Sequence, residues 1–170
     1  MRDGCSVEAC GADAAEWPEA KLIDGVGVSM GLGRRIIKGM DGVLFFDGKC
    51  GMCTRVRNGL LRLNRTGRLR TEPMQKPGVS ERVGVATERL PDSVWWLDSS
   101  GAVFGGAKAM NAAVATALGT KLPLRVYRLP GVGPVQERVY RWVAAHRYRF
   151  RGVTPLCESE PEQCLSPQAS

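Results

Sequence analysis

The apolar run Val43-Leu44-Phe45-Phe46 passes directly into Asp47-Gly48-Lys49-Cys50-Gly51-Met52-Cys53, and no other stretch constrains the chain as much. A short run that is apolar at every position is the pattern of a strand in mid-sheet, covered on both faces. The turn after it carries a Cys-x-x-Cys pair into a helix. A helix N-terminus presents unpaired backbone N–H groups and the positive end of the helix dipole. Both stabilise a thiolate, which is the reactive form of cysteine. Two thiols within one helical turn are close enough to form a strained, reversible disulfide. The junction therefore implies thiol–disulfide exchange. Cys50, first in the pair and beside the charge of Lys49, is the expected nucleophile, and Cys53 the resolving thiol. Asp47 is a candidate proton acceptor for Cys53. It is also a turn residue suited to bonding its own backbone, with Gly48 after it, and the two roles are compatible.

The rest of the ordered region follows from periodicity. Val56, Leu60 and Leu63 recur at helical spacing over Thr54 to Asn64, with Gly67 as the expected C-terminal cap. Leu69 to Pro73 reads as a strand parallel to the first, reached by a right-handed crossover. Pro77 to Arg89 reads as a loop with a short helix. Val94 to Leu97 and Ala102 to Phe104 flank the turn Asp98-Ser99-Ser100-Gly101 as a hairpin. Ala107 to Leu118 has high helix propensity. Leu122 to Leu129 is a second helical piece, and Pro134 opens a last helix as a first-turn proline. Val135, Val139, Trp142, Val143 and His146 fall on one side of that helix. Strand–helix–strand followed by strand–strand–helix is a thioredoxin-like α/β arrangement: a central mixed sheet flanked by helices, here with extra C-terminal helices.

Three segments result. Residues 1–40, rich in Gly and Ala, read as a flexible extension with a short helix near Ala12 to Ala20. In Gly25-Val26-Gly27-Val28-Ser29-Met30 the last place of a G-x-G-x-x-G fingerprint is Met30, so no dinucleotide loop is present. Residues 41–152 form the domain, and 153–170 a loose tail rich in Pro, Glu, Ser and Gln. No apolar run approaches the roughly 18 residues of a membrane span, and no secretory signal is visible. A reducing, cytoplasmic setting is the expectation, with an organelle left open. In such a compartment Cys-x-x-Cys is catalytic or metal-binding rather than structural. The alternative to redox work is half of a zinc site, which needs two more ligands. A second Cys-x-x-Cys is absent and His146 is the only histidine, so neither a metal nor an organic cofactor is expected. Cys5, Cys10, Cys157 and Cys164 fall in the two ends. They could pair within each end, relay electrons to the central site, join as a metal site, or be exposed thiols without function, and the last is the simplest reading.

The net charge is +7. Lys121, Arg125, Arg128, Arg138, Arg141, Arg147, Arg149 and Arg151 face a single acid, Glu137, over the same stretch. This reads as a solvated basic face, or as one that could attract an acidic partner, a membrane surface or nucleic acid. Nucleic acid is not the expected ligand.

The stretch Asp47 to Cys53 resembles the DCC family of thiol-disulfide oxidoreductases, named for a D-x-x-C-x-x-C motif that Asp47, Cys50 and Cys53 match. The resemblance continues through Ser99-Ser100-Gly101, Gly105 to Ala109, Leu129-Pro130 and Val139 to Tyr148, covering roughly residues 41 to 152. It implies a thioredoxin-like fold and a protein-disulfide reductase type of activity, with a disulfide substrate and a separate thiol reductant. At the place of the substrate-facing cis-proline of thioredoxins this chain has Asp92-Ser93, with Pro91 slightly upstream. The alternative function is a non-catalytic redox-sensing or metal-clip module that binds through the basic C-terminal helices.

Overall fold

The computed structural model describes residues 41–165. The expected extension over 1–40, with its short helix and with Cys5 and Cys10, lies outside the described residues, as does the end of the tail.

Strand β1 (Gly42–Phe46) is buried at every position, as its unbroken apolar run requires. Helix α1 (Gly51–Arg62) follows, and β2 (Leu69–Pro73) returns parallel to β1 with Leu44 opposite Thr71. Strands β3 (Trp95–Asp98) and β4 (Val103–Gly105) form the hairpin, and β3 lies antiparallel on the other side of β1. The sheet order is β2-β1-β3-β4. With α2 (Val79–Val83) before the hairpin and α3 (Gly106–Leu118) after it, this is the thioredoxin-like α/β fold that the sequence implies.

Successive strand residues face opposite ways, so the sheet builds two cores. Leu44 and Trp96 pack with Leu60 of α1, Leu69, and the alanines Ala109, Ala112, Ala113 and Ala117 of α3. Val43, Phe45 and Trp95 pack on the other face with Met74, Val79, Val83 and Leu90. Both tryptophans are thus core residues, one per face.

Helix α1 begins at Gly51, three residues before the expected start, and ends at Arg62. Its C-terminal cap is Leu63, whose N–H bonds the carbonyls of Gly59 and Leu61. Gly67 instead takes a left-handed turn (φ +67°) leading into β2.

Helices α4 (Leu122–Tyr127) and α5 (Val132–His146) complete the expected set. The apolar side read for α5 faces the domain only in part, through Val143. Val135, Val139 and Trp142 are exposed, Trp142 by 58%. Tyr140, Val143, Ala144 and Arg147 face inward instead. The reason is polar. Glu137 accepts from the N–H groups of Ala107 (3.2 Å) and Lys108 (3.1 Å) and from Tyr127 Oη (2.9 Å). It caps the N-terminus of α3 together with Ser93 Oγ, which takes the Gly106 N–H, and this sets the rotation of α5. His146 stacks on Trp142 with ring centroids 4.8 Å apart, and its Nδ1 lies 2.7 Å from the Trp142 carbonyl.

The expectation of a loose tail from 153 is corrected over the described residues. Helix α6 (Leu156–Ser159) and a 3-10 turn, Pro161–Gln163, are joined by a Cys157–Cys164 disulfide. Leu156 is only 1% exposed. Polar composition hid this segment because one buried leucine and one cross-link suffice to fix it. Among the described residues no helix is long and apolar enough to cross a membrane.

Candidate functional site

The Cys-x-x-Cys turn is built from the end of β1. Cys50 N donates to the Asp47 carbonyl (3.2 Å), closing a turn over Gly48 and Lys49. Cys50 is then the N-cap of α1, with extended backbone (φ −103°, ψ 115°), and its Sγ accepts from the Cys53 N–H at 3.3 Å. A sulfur thus takes the place usually filled by a Ser, Thr or Asp oxygen at a helix start. Both thiols are free.

The two are not equally accessible. Cys50 is 1% exposed, whereas Cys53 is half-buried. Cys53 borders a cavity of about 160 Å³ lined by Leu44, Phe46, Met52, Val56, Val94 and Met110, with Asp47, Ser93, Tyr140 and Arg147 also on its wall. Burial pushes the Cys53 thiol well above its ordinary range. Its hydrogen bond with Cys50 and the charges of Cys50 and Asp47 act in the same direction, and the Arg147 guanidinium opposes them. Cys53 therefore holds its proton while the pair is reduced.

The C-terminal segment is bonded to the residues on both sides of Cys50. Val153 N donates to the Gly51 carbonyl (3.1 Å), Leu156 N to Thr54 Oγ1 (3.1 Å), and Cys157 N to the Gly48 carbonyl (3.1 Å). Arg55 Nη1 reaches the Arg151 carbonyl at 3.3 Å. Gly51 and Gly152 meet backbone to backbone. A Cβ on Gly51 would strike the Val153 carbonyl oxygen, and one on Gly152 would strike the Gly51 carbonyl carbon. Glycine is required at such approaches. Residues 151–157 form a strap across the mouth of the helix.

Asp47 is 5% exposed and fully engaged. Its Oδ1 accepts from Lys49 N (3.0 Å) and Gln75 Nε2 (2.8 Å). Its Oδ2 accepts from Tyr148 Oη (3.3 Å) and pairs with Arg147 Nη2 (3.4 Å). The bond to Lys49 N is the turn role expected of Asp47. Lys49 contributes that backbone N–H, while its side chain is exposed. Gly48 is buried, and its N–H donates to Gln75 Oε1 (2.9 Å). A Cβ there would lie 2.6 Å from Cys157 Sγ.

The cation paired with Asp47 is therefore Arg147, which the sequence places in the basic stretch read as a solvated or docking face. Its Nη1 also donates to the Pro91 carbonyl (2.6 Å), and its Nε is buried without a partner. Gln75 and Tyr148 were missed as well. The available signal was the stretch Val139 to Tyr148, which carries part of the resemblance but was read only as a helix face. Where the sequence places Asp92-Ser93, Asp92 ends a 3-10 turn that contains Pro91, and Ser93 caps it in extended conformation. Ser93 Oγ accepts from Gly106 N (2.9 Å), and Tyr140 Oη accepts from Val94 N (2.8 Å). The described residues contain no cis peptide bond. Among them no group of three or more His, Cys, Asp or Glu is placed to hold a metal ion.

A thioredoxin-like sheet with a reduced Cys-x-x-Cys at the N-terminus of its first helix defines a thiol–disulfide exchange scaffold. The family profile described as DCC1-like thiol-disulfide oxidoreductase matches residues 44–153, and the chain belongs to that family. The comparisons with curated proteins and with solved structures found no match.

Proposed function

We propose that the protein is a protein-disulfide reductase in which Cys50 and Cys53 are the working dithiol. The observation that carries this reading is the cap geometry: Cys50 Sγ receives the Cys53 N–H at the head of α1, while Cys53 keeps its proton. The Cys50 thiolate attacks one sulfur of a substrate disulfide. The other substrate sulfur leaves as a thiolate, and a mixed disulfide forms. Cys53 gives up its proton and attacks Cys50 Sγ, which releases the second substrate thiol and leaves Cys50–Cys53 oxidised. Asp47 is the nearby carboxylate suited to that proton, with Arg147 balancing its charge. A separate dithiol restores the reduced pair, and no organic cofactor enters the scheme. A substrate reaches Cys50 only when the strap over it moves.

The test is a trapping experiment in the full chain. Cys53→Ser should accumulate mixed disulfides through Cys50, and Cys50→Ser should abolish both trapping and insulin reduction. Trapping that persists in Cys50→Ser would reject the assignment.

A further inference from the structure

The chain carries a second cysteine pair for which the proposed reaction has no use. Cys157–Cys164 lies beyond the family-matched residues 44–153, yet it is seated on the Cys-x-x-Cys turn. The Cys157 amide is bonded to the Gly48 carbonyl at 3.1 Å. Cys157 Sγ occupies the side of Gly48 where a Cβ would point, 2.6 Å from that position. Gly48 is two residues before Cys50. A disulfide is therefore held against the turn that bears a reduced dithiol whose first thiol, Cys50, is buried.

We infer that Cys157–Cys164 is a second redox couple, which exchanges electrons with Cys50–Cys53 within one chain. The inference rests on Cys50–Cys53 being a working dithiol. Three observations support it. Cys50 is 1% exposed, so the disulfide best placed to meet it is the one already packed on its turn. Cys157 is half-buried and Cys164 buried, so the outer pair offers external thiols one reachable sulfur, Cys157, outside the lining of the Cys53 cavity. Gln75 Oε1 lies 3.7 Å from Cys157 Sγ. A disulfide sulfur has no proton to donate there, but the reduced Cys157 thiol does, so the neighbourhood accommodates both states. Gln75 also holds Asp47 and the Gly48 N–H, and so links the two pairs.

The exchange balances without an outside oxidant. Cys50 leaves its cap position, and its thiolate attacks Cys157 Sγ. The Cys157–Cys164 bond breaks, and Cys164 departs as a thiolate that takes up a proton. Cys53 loses its proton and attacks Cys50 Sγ, and Cys157 departs with the electron pair and is protonated in turn. Two electrons have passed from the inner pair to the outer pair, with one disulfide before and one after. The reverse sequence carries electrons inward.

The experiment uses the full chain carrying Cys5→Ser and Cys10→Ser, so that four thiols remain. Protein holding only the Cys157–Cys164 disulfide is kept anaerobically without reductant, then acid-quenched, alkylated and mapped by mass spectrometry. A second sample, oxidised at Cys50–Cys53 by a small amount of glutathione disulfide, is treated alike. Both should relax to the same mixture of the two isomers, at a rate independent of protein concentration. A ratio within roughly tenfold would place the couples within about 30 mV of each other. Cys53→Ser should collect a Cys50–Cys157 linkage within the monomer. If Cys157–Cys164 persists unchanged while glutathione disulfide readily oxidises Cys50–Cys53, the relay is refuted and the dithiol reading stands. If glutathione disulfide cannot form Cys50–Cys53 either, both fall. A rate that scales with protein concentration would also overturn the relay.

Discussion

Replacing Gly51 by alanine sets two effects of opposite sign against each other. Gly51 is the first residue of α1 and has no left-handed backbone, so alanine fits its conformation. On an unobstructed helix the change stabilises by up to about 0.5–1 kcal/mol, because glycine loses more backbone freedom on folding. Here the new Cβ strikes the Val153 carbonyl oxygen. Backbone, not a flexible side chain, must give way. The Val153 N–H to Gly51 carbonyl bond goes with it, at about 1 kcal/mol, and overpacking adds roughly 1–3 kcal/mol. The net expectation is a loss of about 1–3.5 kcal/mol, or a displaced strap. Urea unfolding measures the first. Timed alkylation of Cys50 measures the second, since a displaced strap uncovers a thiol that is 1% exposed. Gly152→Ala, whose Cβ would lie 2.6 Å from Met52 N, should act in the same direction on both readings. A Gly51→Ala protein that is more stable, with unchanged Cys50 reactivity, would refute the strap and the argument built on it.

Arg147→Met should cost about 2–3 kcal/mol by urea unfolding. Breaking a buried ion pair costs about 3–5 kcal/mol, but Asp47 keeps its bonds to Lys49, Gln75 and Tyr148. A double-mutant cycle with Asp47→Asn that shows no coupling would reject the pair as a structural element. Glu137→Gln should weaken the start of α3 by about 1 kcal/mol and lower the titration of Tyr127. That phenol is pushed up to about 12, by burial first and then by its bond to Glu137. The corresponding stability is whole below a free tyrosine's pKa of about 10 and is lost as pH rises through 12. An absorbance titration with an unshifted Tyr127 midpoint would contradict this.

The sheet was legible because β1 is short and apolar throughout and β3 opens on two tryptophans, and because Thr54 to Asn64 and Ala107 to Leu118 are strong helical patterns. The Cys-x-x-Cys turn was legible from its position after β1. Less of the site's surroundings was. Arg147 sits in a run of arginines, and charge pattern alone does not separate the one that turns inward from those that face water. The apolar stripe Val135, Val139, Trp142 has the spacing of a buried face, yet Glu137, bonded to the start of α3, and Tyr140, bonded to Ser93 and Val94 just before β3, rotate the helix away from it. The strap was hidden for a different reason. Its hold comes from backbone bonds, a glycine–glycine contact and a cross-link, none of which leaves a periodic trace.

The strap also bears on the order in which the molecule can be completed. Asp47 meets Tyr148 across 101 residues of sequence, and Thr54 meets Leu156 across 102. The β1–α1–β2 unit, by contrast, closes over a short stretch. Contacts so far apart along the chain are the slowest to close, because the loop entropy is lost before the contact is made. During synthesis the cysteine turn emerges roughly a hundred residues ahead of its cover. The nascent chain therefore passes through an interval in which Cys50 stands open to any disulfide in its surroundings, and that interval ends only when residues 151–157 dock beside the turn.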